Sequence, residues 1–524
     1  MAQPMRCKNV MKPKLNQLRA GVVLTYVSLA VGYLVSMVFT PVMIRMLGQN
    51  EYGLYTLVLS IASYLNLLNF GFGASYMHFY ARCRETGTED DVRRLNGLFL
   101  LTFAVIAVIA LTAGLIVAEN VDLLQKTLTP AEVSKARVLI RILSVNLAFT
   151  LIASVFTSFI TAQERFIFQK SVQIFKNLLS PLAMLAAMLL GYASLGLVTV
   201  TLVLTMLTDA CNIWYCIRRL GMRFRFKGLQ WGLFREIAVF SSFIFINIVV
   251  DQINWNVGNI LLAAYHGTLL VSVYGLASQL NTYYVSFSTA VSAVFVPKVN
   301  QIIAKNSESD LTDLFIRVGR VQFLILMLVC TGFILFGKPF IAKWGGPGYE
   351  DAYYVALMFI VSVTIPSIQN IGIEIQRAKN MHRFRSLVYI IMAAFNVAMG
   401  ILLCPRYGTI GCAIGTALSL ILGNGLVMNI YYHRKIGLDM VRFWKNMLSF
   451  VPALLPPLAC GVLMTLFVDT SRTILLAACI GCYALVYCAS MWFLGMNAYE
   501  KDLVRKPLGR ILRPILRRMP AKKG

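Results

Sequence analysis

Fourteen apolar stretches, most of them close to the length of a membrane-spanning helix, follow one another along this 524-residue chain. A helix needs about 20 mostly apolar residues to cross the hydrocarbon core of a bilayer. Hydrophobic residues make up 58% of the sequence and charged residues only 13%, too few to cover a soluble protein. The predicted spans are 20–44, 53–80, 96–117, 139–161, 172–190, 195–216, 238–263, 269–296, 316–337, 353–376, 386–404, 408–432, 448–468 and 473–495.

Basic residues indicate the side of the membrane on which each loop lies. Lys and Arg number 48 against 22 Asp and Glu, and most of them fall in alternate loops, beginning with the N-terminal segment. Cytoplasmic loops of membrane proteins are enriched in Lys and Arg. We therefore predict a multi-pass protein of the cell membrane with both termini in the cytoplasm, and no nucleic-acid partner. The basic tail 501–524 predicts an amphipathic anchor on the anionic lipid of the inner leaflet.

A short phrase returns at equivalent places in the two halves of the chain. Tyr-Gly-Leu begins at Tyr52 and again at Tyr274, and a second echo links the segments that begin at Ala162 and Ala378. Six predicted helices separate each pair, so the two halves have the same orientation and form a parallel repeat. We predict an all-α integral membrane protein of about 14 transmembrane helices. Its parts are an N-lobe (20–216, helices 1–6), a C-lobe (233–434, helices 7–12) and an extra C-terminal helix pair (446–495).

Polar side chains recur along one face of the seventh predicted helix. Asn247, Asp251 and Asn254 follow helical spacing, and Asn259 broadens the same face. An ionised carboxylate facing lipid at mid-membrane costs about 2.5–3.5 kcal/mol. Asp251 is thus predicted to face an aqueous cavity, and an interhelical hydrogen-bond anchor is the alternative. The remaining substrate and coupling candidates are Gln279, Asn281 and Tyr283 in helix eight, Arg45 and Arg141 near the outer ends of helices one and four, and Asp209 in helix six.

Signs of enzymatic chemistry are missing from the sequence. It contains no phosphate-binding Gly-x-x-x-x-Gly-Lys-[Ser/Thr] loop, and its four histidines are too far apart to form a metal site. The loops are also too short to carry a catalytic domain. We expect a transporter that has no catalytic residue, cofactor or metal.

Four segments resemble a known transporter superfamily. They read "IRMLGQNEYGLYTL", "LLNFGFGASYMHFYAR", "VYGLASQL" and "VFVPKVNQII". Together with the layout of six, six and two helices, they resemble the polysaccharide-export branch of the multidrug/oligosaccharidyl-lipid/polysaccharide exporter superfamily, the Wzx-like flippases. The resemblance implies that a polyprenyl-diphosphate-linked oligosaccharide, a polysaccharide or teichoic-acid-type precursor, moves from the inner to the outer leaflet by alternating access between two lobes.

The chain departs from this family at one position, and other functions stay open. Relatives often carry cations deep in the first and seventh helices, whereas the seventh helix here has Gly258 and Asn259, so no phosphate clamp is carried over. One alternative is a small-molecule or drug exporter of the same superfamily, coupled to Na⁺ or H⁺ at Asp251 or Asp209. A more distant one is a membrane polysaccharide polymerase or ligase. We expect a monomer that binds lipid-linked oligosaccharide, with a polysaccharide polymerase as a candidate partner.

Overall fold

Helices are the only regular secondary structure in the computed structural model, which describes residues 15–124, 127–228, 231–304, 308–379, 381, 383–503 and 505. The predicted all-α fold is confirmed for these residues. The first helices are α1 (Leu15–Leu47), α2 (Gln49–Leu65), α3 (Phe72–Thr86), α4 (Glu89–Glu119), α5 (Pro130–Ala162), α6 (Phe166–Leu189), α7 (Ala193–Trp214), α8 (Trp231–His266) and α9 (Thr268–Ala304). They are followed by α10 (Glu308–Trp344), α11 (Asp351–Ile368), α12 (Ile371–Ala378), α13 (Arg383–Leu420), α14 (Met428–Tyr431), α15 (Met440–Leu448), α16 (Val451–Phe467) and α17 (Thr473–Ser490).

The lengths and composition of these helices are those of a multi-pass membrane protein. Within the described ranges, 10 helical segments are long and apolar enough to cross a membrane. One of them, Arg383–Ile436, has 54 residues and contains the eleventh and twelfth predicted spans. Gly408 (φ 54°, ψ −129°), the first residue of the second of these spans, has a non-helical conformation. The seventh and eighth predicted spans lie within α8 and α9, which have 36 and 37 residues.

The second predicted span is broken, whereas the sequence predicts one helix over 53–80. A 3₁₀ turn (Asn66–Asn69) follows α2, and Phe70 (φ 49°) and Gly71 (φ 68°) then adopt left-handed backbone before α3 begins. Glycine enters this region without steric cost, but phenylalanine does not. The Phe70 ring packs on Phe245 of α8, with 4.5 Å between ring centroids, and this contact helps to hold the break.

Two other predicted spans differ from the observed helices at their ends. The span predicted at 353–376 is divided into α11 and α12 at Gln369 and Asn370. Pro366 lies in the last turn of α11, where its missing N–H weakens the helix. The span predicted at 172–190 begins six residues earlier, at Phe166, and this shift changes the membrane depth of its polar residues.

The chain divides into two compact units. The first unit comprises Met1–Ser278 and Tyr389–Thr416, and the second comprises Gln279–Val388 and Ala417–Gly524. This division is not the predicted division into N-lobe and C-lobe, which stays a prediction. Most of the predicted tail anchor, from residue 506 onward, lies outside the described residues.

Glycines of the repeated phrase let two helices of the first unit approach closely. A Cβ on Gly53 of α2 would lie 1.9 Å from the carbonyl oxygen of Thr268, at the start of α9. Conversely, a Cβ on Gly275 of α9 would lie 2.5 Å from the methyl group of Thr56 in α2. Each Tyr-Gly-Leu segment thus supplies the small residue at a contact with the other helix. Small residues at helix contacts are a main source of packing energy in membranes, where apolar burial contributes little.

A buried arginine joins the extra C-terminal helices to α10 in the second unit. Arg320 donates from Nε and Nη2 to the two carboxylate oxygens of Glu500, at 2.5 and 3.1 Å. It also donates to the carbonyl oxygens of Asn446 and Gly495, at 3.2 and 3.0 Å. Its guanidinium carbon lies 4.2 Å from the ring centroid of Phe450. Only 6% of the Arg320 side chain and 2% of the Glu500 side chain are exposed, so each charge depends on the other.

Two tyrosines of α17 complete this attachment. The Tyr483 hydroxyl donates to Thr331 Oγ1 at 2.6 Å, and the Tyr487 hydroxyl donates to the carbonyl oxygen of Leu324 at 2.9 Å. Both rings are buried against α10. The C-terminal helix pair is therefore packed firmly on α10 within the second unit.

We expect Gly53→Ala to lower the melting temperature of the purified protein, because overpacking a close helix contact costs about 1–3 kcal/mol. Gly481→Ala is the matched control, since a Cβ there meets no atom within 4 Å. Equal melting temperatures for the two variants in a detergent thermal-unfolding assay would contradict the close contact.

We expect Arg320→Met to destabilise the protein by about 3–5 kcal/mol, because Glu500 would be left as an uncompensated buried charge. The double variant Arg320→Met/Glu500→Met removes both charges and should recover much of the loss. Lys338→Met is a control at an exposed position of the same helix, α10. Thermal unfolding of the four proteins tests this, and it fails if the double variant is the least stable.

Candidate functional site

The polar residues predicted on the seventh span differ in burial along α8. Asp251 is exposed, whereas Asn254 and Asn259 are buried. Asn259 donates from Nδ2 to the Ser60 hydroxyl of α2 at 2.8 Å. The side chain of Asn247 lies outside the described part of the structure. The helix thus presents its acid to the surroundings and uses its amides against neighbouring helices.

A chain of hydrogen bonds connects α8 with α13 and α9 inside the first unit. Asn396 Nδ2 donates to the carbonyl oxygen of Asn254 at 3.2 Å, and Thr416 Oγ1 donates to Asn396 Oδ1 at 3.1 Å. The Tyr274 hydroxyl lies 3.5 Å from Thr416 Oγ1. Gly258 makes room for this tyrosine, because a Cβ at Gly258 would lie 2.5 Å from the Tyr274 hydroxyl. Part of the predicted polar face therefore holds helices together.

Several polar atoms of α8 nevertheless have no hydrogen-bond partner among the described residues. They are Gln252 Nε2, Asn254 Oδ1 and Asn259 Oδ1, all of them buried. A buried polar group without a partner costs about 1–3 kcal/mol, so such groups usually bind water or a ligand. One is a donor and two are acceptors, a mixture that suits hydroxyl groups, which both donate and accept.

The predicted residues of the eighth span fall in the second unit, on α9. Gln279 donates from Nε2 to the Tyr283 hydroxyl at 2.7 Å, one turn along the helix. Asn281 is buried, and its Oδ1 has no hydrogen-bond partner in the described part of the chain. Tyr283 is partly exposed. An amide and a phenol are thus held side by side on this helix.

The two arginines predicted near the outer helix ends lie in exposed positions. Arg45 occupies the last turn of α1. Arg141 of α5 forms an ion pair with Glu119 at the end of α4. Beside it, Arg137 contacts Asp122 at 2.9 Å. An anionic substrate would have to compete with Glu119 for Arg141.

A polar stripe on α6 has no counterpart in the sequence-based prediction. Lys176 falls within the predicted span 172–190 but is not among the predicted site residues, and it lies ten residues, or about 15 Å, into the observed helix. The other polar residues at helical spacing around it are Gln169, Gln173, Asn177 and Ser180. Their spacing of three and four residues is a signal that the sequence contains.

Lys176 brings one of the predicted acids into a charged group within the first unit. Its Nζ donates to Thr205 Oγ1 of α7 at 3.0 Å. Asp209 follows Thr205 by one turn, and its carboxylate attracts the Lys176 ammonium. Asn177, next to Lys176, approaches Gly32 of α1, where a Cβ would lie 3.1 Å from its Nδ2. A basic and an acidic side chain, both partly buried, therefore lie on neighbouring long apolar helices.

We expect Lys176→Met to lower thermal stability more than Asp209→Asn. The long side chain of a lone lysine reaches toward the interface, whereas a lone aspartate is too short to do so. The double variant should lie between wild type and Lys176→Met. Thermal unfolding in detergent measures this order, and the reverse order of the two single variants would contradict the attraction between Lys176 and Asp209.

Solved structures of transporters share the fold of this chain. The inward closed conformation of the lipid II flippase MurJ has a TM-score of 0.70 at 16% identity, covering 94% of this chain and 100% of that one. An inward-facing multidrug resistance MATE family transporter of the MOP superfamily has a TM-score of 0.58 at 13% identity, covering 77% of this chain and 98% of that one. These likenesses describe the fold.

Sequence comparisons give the family. The chain is 22% identical over 171 residues to AglR, named a probable flippase, and 22% identical over 162 residues to Agl15, named a probable low-salt glycan biosynthesis flippase, both of Haloferax volcanii. These matches cover 32% and 31% of this chain and only 36% and 34% of the relatives. The family model described as "Polysaccharide biosynthesis protein" matches residues 18–303, more than half of the chain. The chain therefore belongs to this polysaccharide biosynthesis protein family.

Proposed function

We propose that this protein moves a polyprenyl-diphosphate-linked oligosaccharide from the inner to the outer leaflet of the membrane. The inner leaflet is the one beside the loops that are rich in Lys and Arg. Membership of a polysaccharide biosynthesis family supports a sugar-bearing substrate, and the names of the matched relatives support a flippase. The fold shared with the lipid II flippase supports transport by alternating access. The proposed protein is a transporter and not an enzyme, and it works in the cell membrane with both termini in the cytoplasm.

The observation that carries the proposal is the set of buried polar atoms on α8 without hydrogen-bond partners in the described structure. Gln252, Asn254 and Asn259 offer one donor and two acceptors inside a membrane-spanning helix. A sugar needs both kinds of group, because each hydroxyl donates one hydrogen bond and accepts others. Groups that were only structural would be expected to satisfy one another. We propose that these amides contact the glycan during transfer.

The charged residues divide into two proposed roles. Lys176 is a cation inside a span, and its present partners, Thr205 and Asp209, are groups that a diphosphate can replace. Arg45 and Arg141 lie at helix ends and would bind the diphosphate on its way out. Asp251 and Asp209 are the proposed acids for coupling to Na⁺ or H⁺. No cofactor is part of this proposal.

Leaflet transfer in proteoliposomes tests the proposal. The substrate is a fluorescent polyprenyl-diphosphate oligosaccharide, and transfer is measured as protection from, or exposure to, a membrane-impermeant quencher. We expect transfer by the wild type and a rate about fivefold lower in Gln252→Leu, the effect of one lost hydrogen bond of about 1 kcal/mol. We expect Asp251→Asn to abolish any dependence of the rate on an ion gradient.

The control is Asp469→Asn, which changes an exposed loop acid and should leave transfer unchanged. Failure of the wild type to transfer several such lipids, together with gradient-driven uptake of a cationic dye, would favour the drug exporter. Elongation of the glycan on its lipid carrier would favour the polymerase.

A further inference from the structure

An apolar slot lies in the first unit between α4 and α8, beside the break that separates α2 from α3. Its volume is about 580 Å³. Ligand pockets usually have volumes of about 300–1,000 Å³. The side chains that define the slot are Leu98, Leu101 and Val105 of α4 and Phe234, Ala238 and Phe245 of α8. The rings of Phe70 and Phe72, on either side of Gly71, also line it, so the slot exists because the second span is broken.

The walls of the slot offer no free hydroxyl group. Three hydroxyl side chains line it, and all three form hydrogen bonds within the protein. These bonds join Thr102 Oγ1 to the carbonyl oxygen of Leu98 (2.8 Å), Ser241 Oγ to Ser75 Oγ (2.7 Å) and Ser242 Oγ to the carbonyl oxygen of Val239 (2.8 Å). A polar ligand would lose its own hydrogen bonds on entering the slot. The occupant must therefore be apolar.

The shape of the slot matches one hydrocarbon chain within one leaflet. Its residues on α4 recur every three or four positions from Leu98 to Ile106, so they form one stripe of about 12 Å along the helix axis. Those on α8 run from Phe234 to Phe245, about 16 Å. One leaflet of the hydrocarbon core is about 15 Å thick. A straight chain would thus lie parallel to the helices for the depth of one leaflet.

The side of the slot is open to the bilayer. Leu101 and Val105 are 49% and 54% exposed, although both line the slot. Leu98 and Ile106 of the same stripe are buried and close its inner wall. A chain can therefore enter laterally from the lipid, without passing through the protein.

A positively charged side chain, Arg94, lies beyond one end of the slot. Arg94 precedes Leu98 by one turn, on the same stripe of α4, about 6 Å along the axis. Its Nε is buried and has no hydrogen-bond partner among the described residues. The guanidinium is flanked by Gly228 of the loop before α8. The nearby carboxylate of Asp91 attracts Arg94, but its Oδ2 accepts from the Thr88 backbone N–H and hydroxyl in the helix cap. A phosphate could therefore bind at Arg94.

We propose that the slot binds one acyl chain of an anionic phospholipid whose phosphate contacts Arg94. The apolar walls select the chain, the lateral opening admits it from the bilayer, and the arginine selects the charge of the headgroup. The length of a single leaflet assigns the slot to a phospholipid and not to a longer polyprenyl chain. This site is separate from the polar residues of α8 proposed to contact the glycan, and it does not depend on the transport proposal.

Native mass spectrometry of the full-length protein with added lipid tests this site. The probes are phosphatidylglycerol, which is anionic, and phosphatidylcholine with the same acyl chains. We expect one phosphatidylglycerol to be retained about tenfold more tightly than phosphatidylcholine, the effect of one charge-assisted hydrogen bond. Arg94→Gln should remove this preference. Leu101→Trp and Val105→Trp should each fill the slot at an exposed position and lower the retention of both lipids.

The matched controls change similar groups outside the slot. Ile116→Trp adds the same ring to an exposed position of α4, about 15 Å beyond the slot, and Lys445→Gln removes an exposed charge from α15 of the second unit. Both should bind lipid as the wild type does. Equal retention of the two phospholipids by the wild type, or equal loss in the slot and control variants, would overturn the proposal. Preferential binding of polyprenyl phosphate, lost in Leu101→Trp and Val105→Trp, would assign the slot to that chain instead.

Discussion

Hydrocarbon offers no hydrogen bonds to a polypeptide backbone, so every stretch of this chain that crosses the bilayer must satisfy its own peptide groups. A helix does so along its whole length, and the described residues of the apolar stretches are accordingly helical except at a few breaks. An interruption inside the membrane is costly and has to be held by neighbouring side chains. The break at Phe70 and Gly71 shows how this is done, because aromatic side chains of α3 and α8 surround it. The same break opens the apolar slot.

Charged side chains in the spans and at their ends must likewise find partners within the protein. Arg320 is surrounded by the Glu500 carboxylate, two carbonyl oxygens and the Phe450 ring, and this group fastens the C-terminal helices to α10. Lys176 is held more loosely, by one hydroxyl and the attraction of Asp209. A fully satisfied charge is suited to fixing a structure, whereas a partly satisfied one can exchange its partners for a ligand. The two bases therefore differ in how fully their charges are satisfied, although both lie on long apolar helices.

The repeated Tyr-Gly-Leu motif contributes to helix packing in the first unit. Gly53 and Gly275 let α2 and α9 approach, and the tyrosine beside each of them is buried. In a bilayer, helices gain little from burying apolar surface, so close packing and buried hydrogen bonds decide which helices associate. The Asn259–Ser60 hydrogen bond between α8 and α2 is one such interaction. The repeated motif therefore lies where α2 and α9 pack against each other.

The sequence by itself determined the class of the protein, its all-α membrane fold and most of its spans. The reason is that the length and apolarity of a segment are local properties, and they decide whether it can cross the hydrocarbon core. It also identified the polar face of α8 and the family. Only the tertiary structure decided which amides are used between helices and which keep unpartnered atoms, since a hydrogen-bond partner such as Ser60 or Asn396 comes from a distant part of the chain. The depth of Lys176, the pairing of Arg320 with Glu500 and the slot beside α4 likewise depend on helix ends and neighbours. Periodicity specifies a face, but the contacts of that face are set by the packing of the whole bundle.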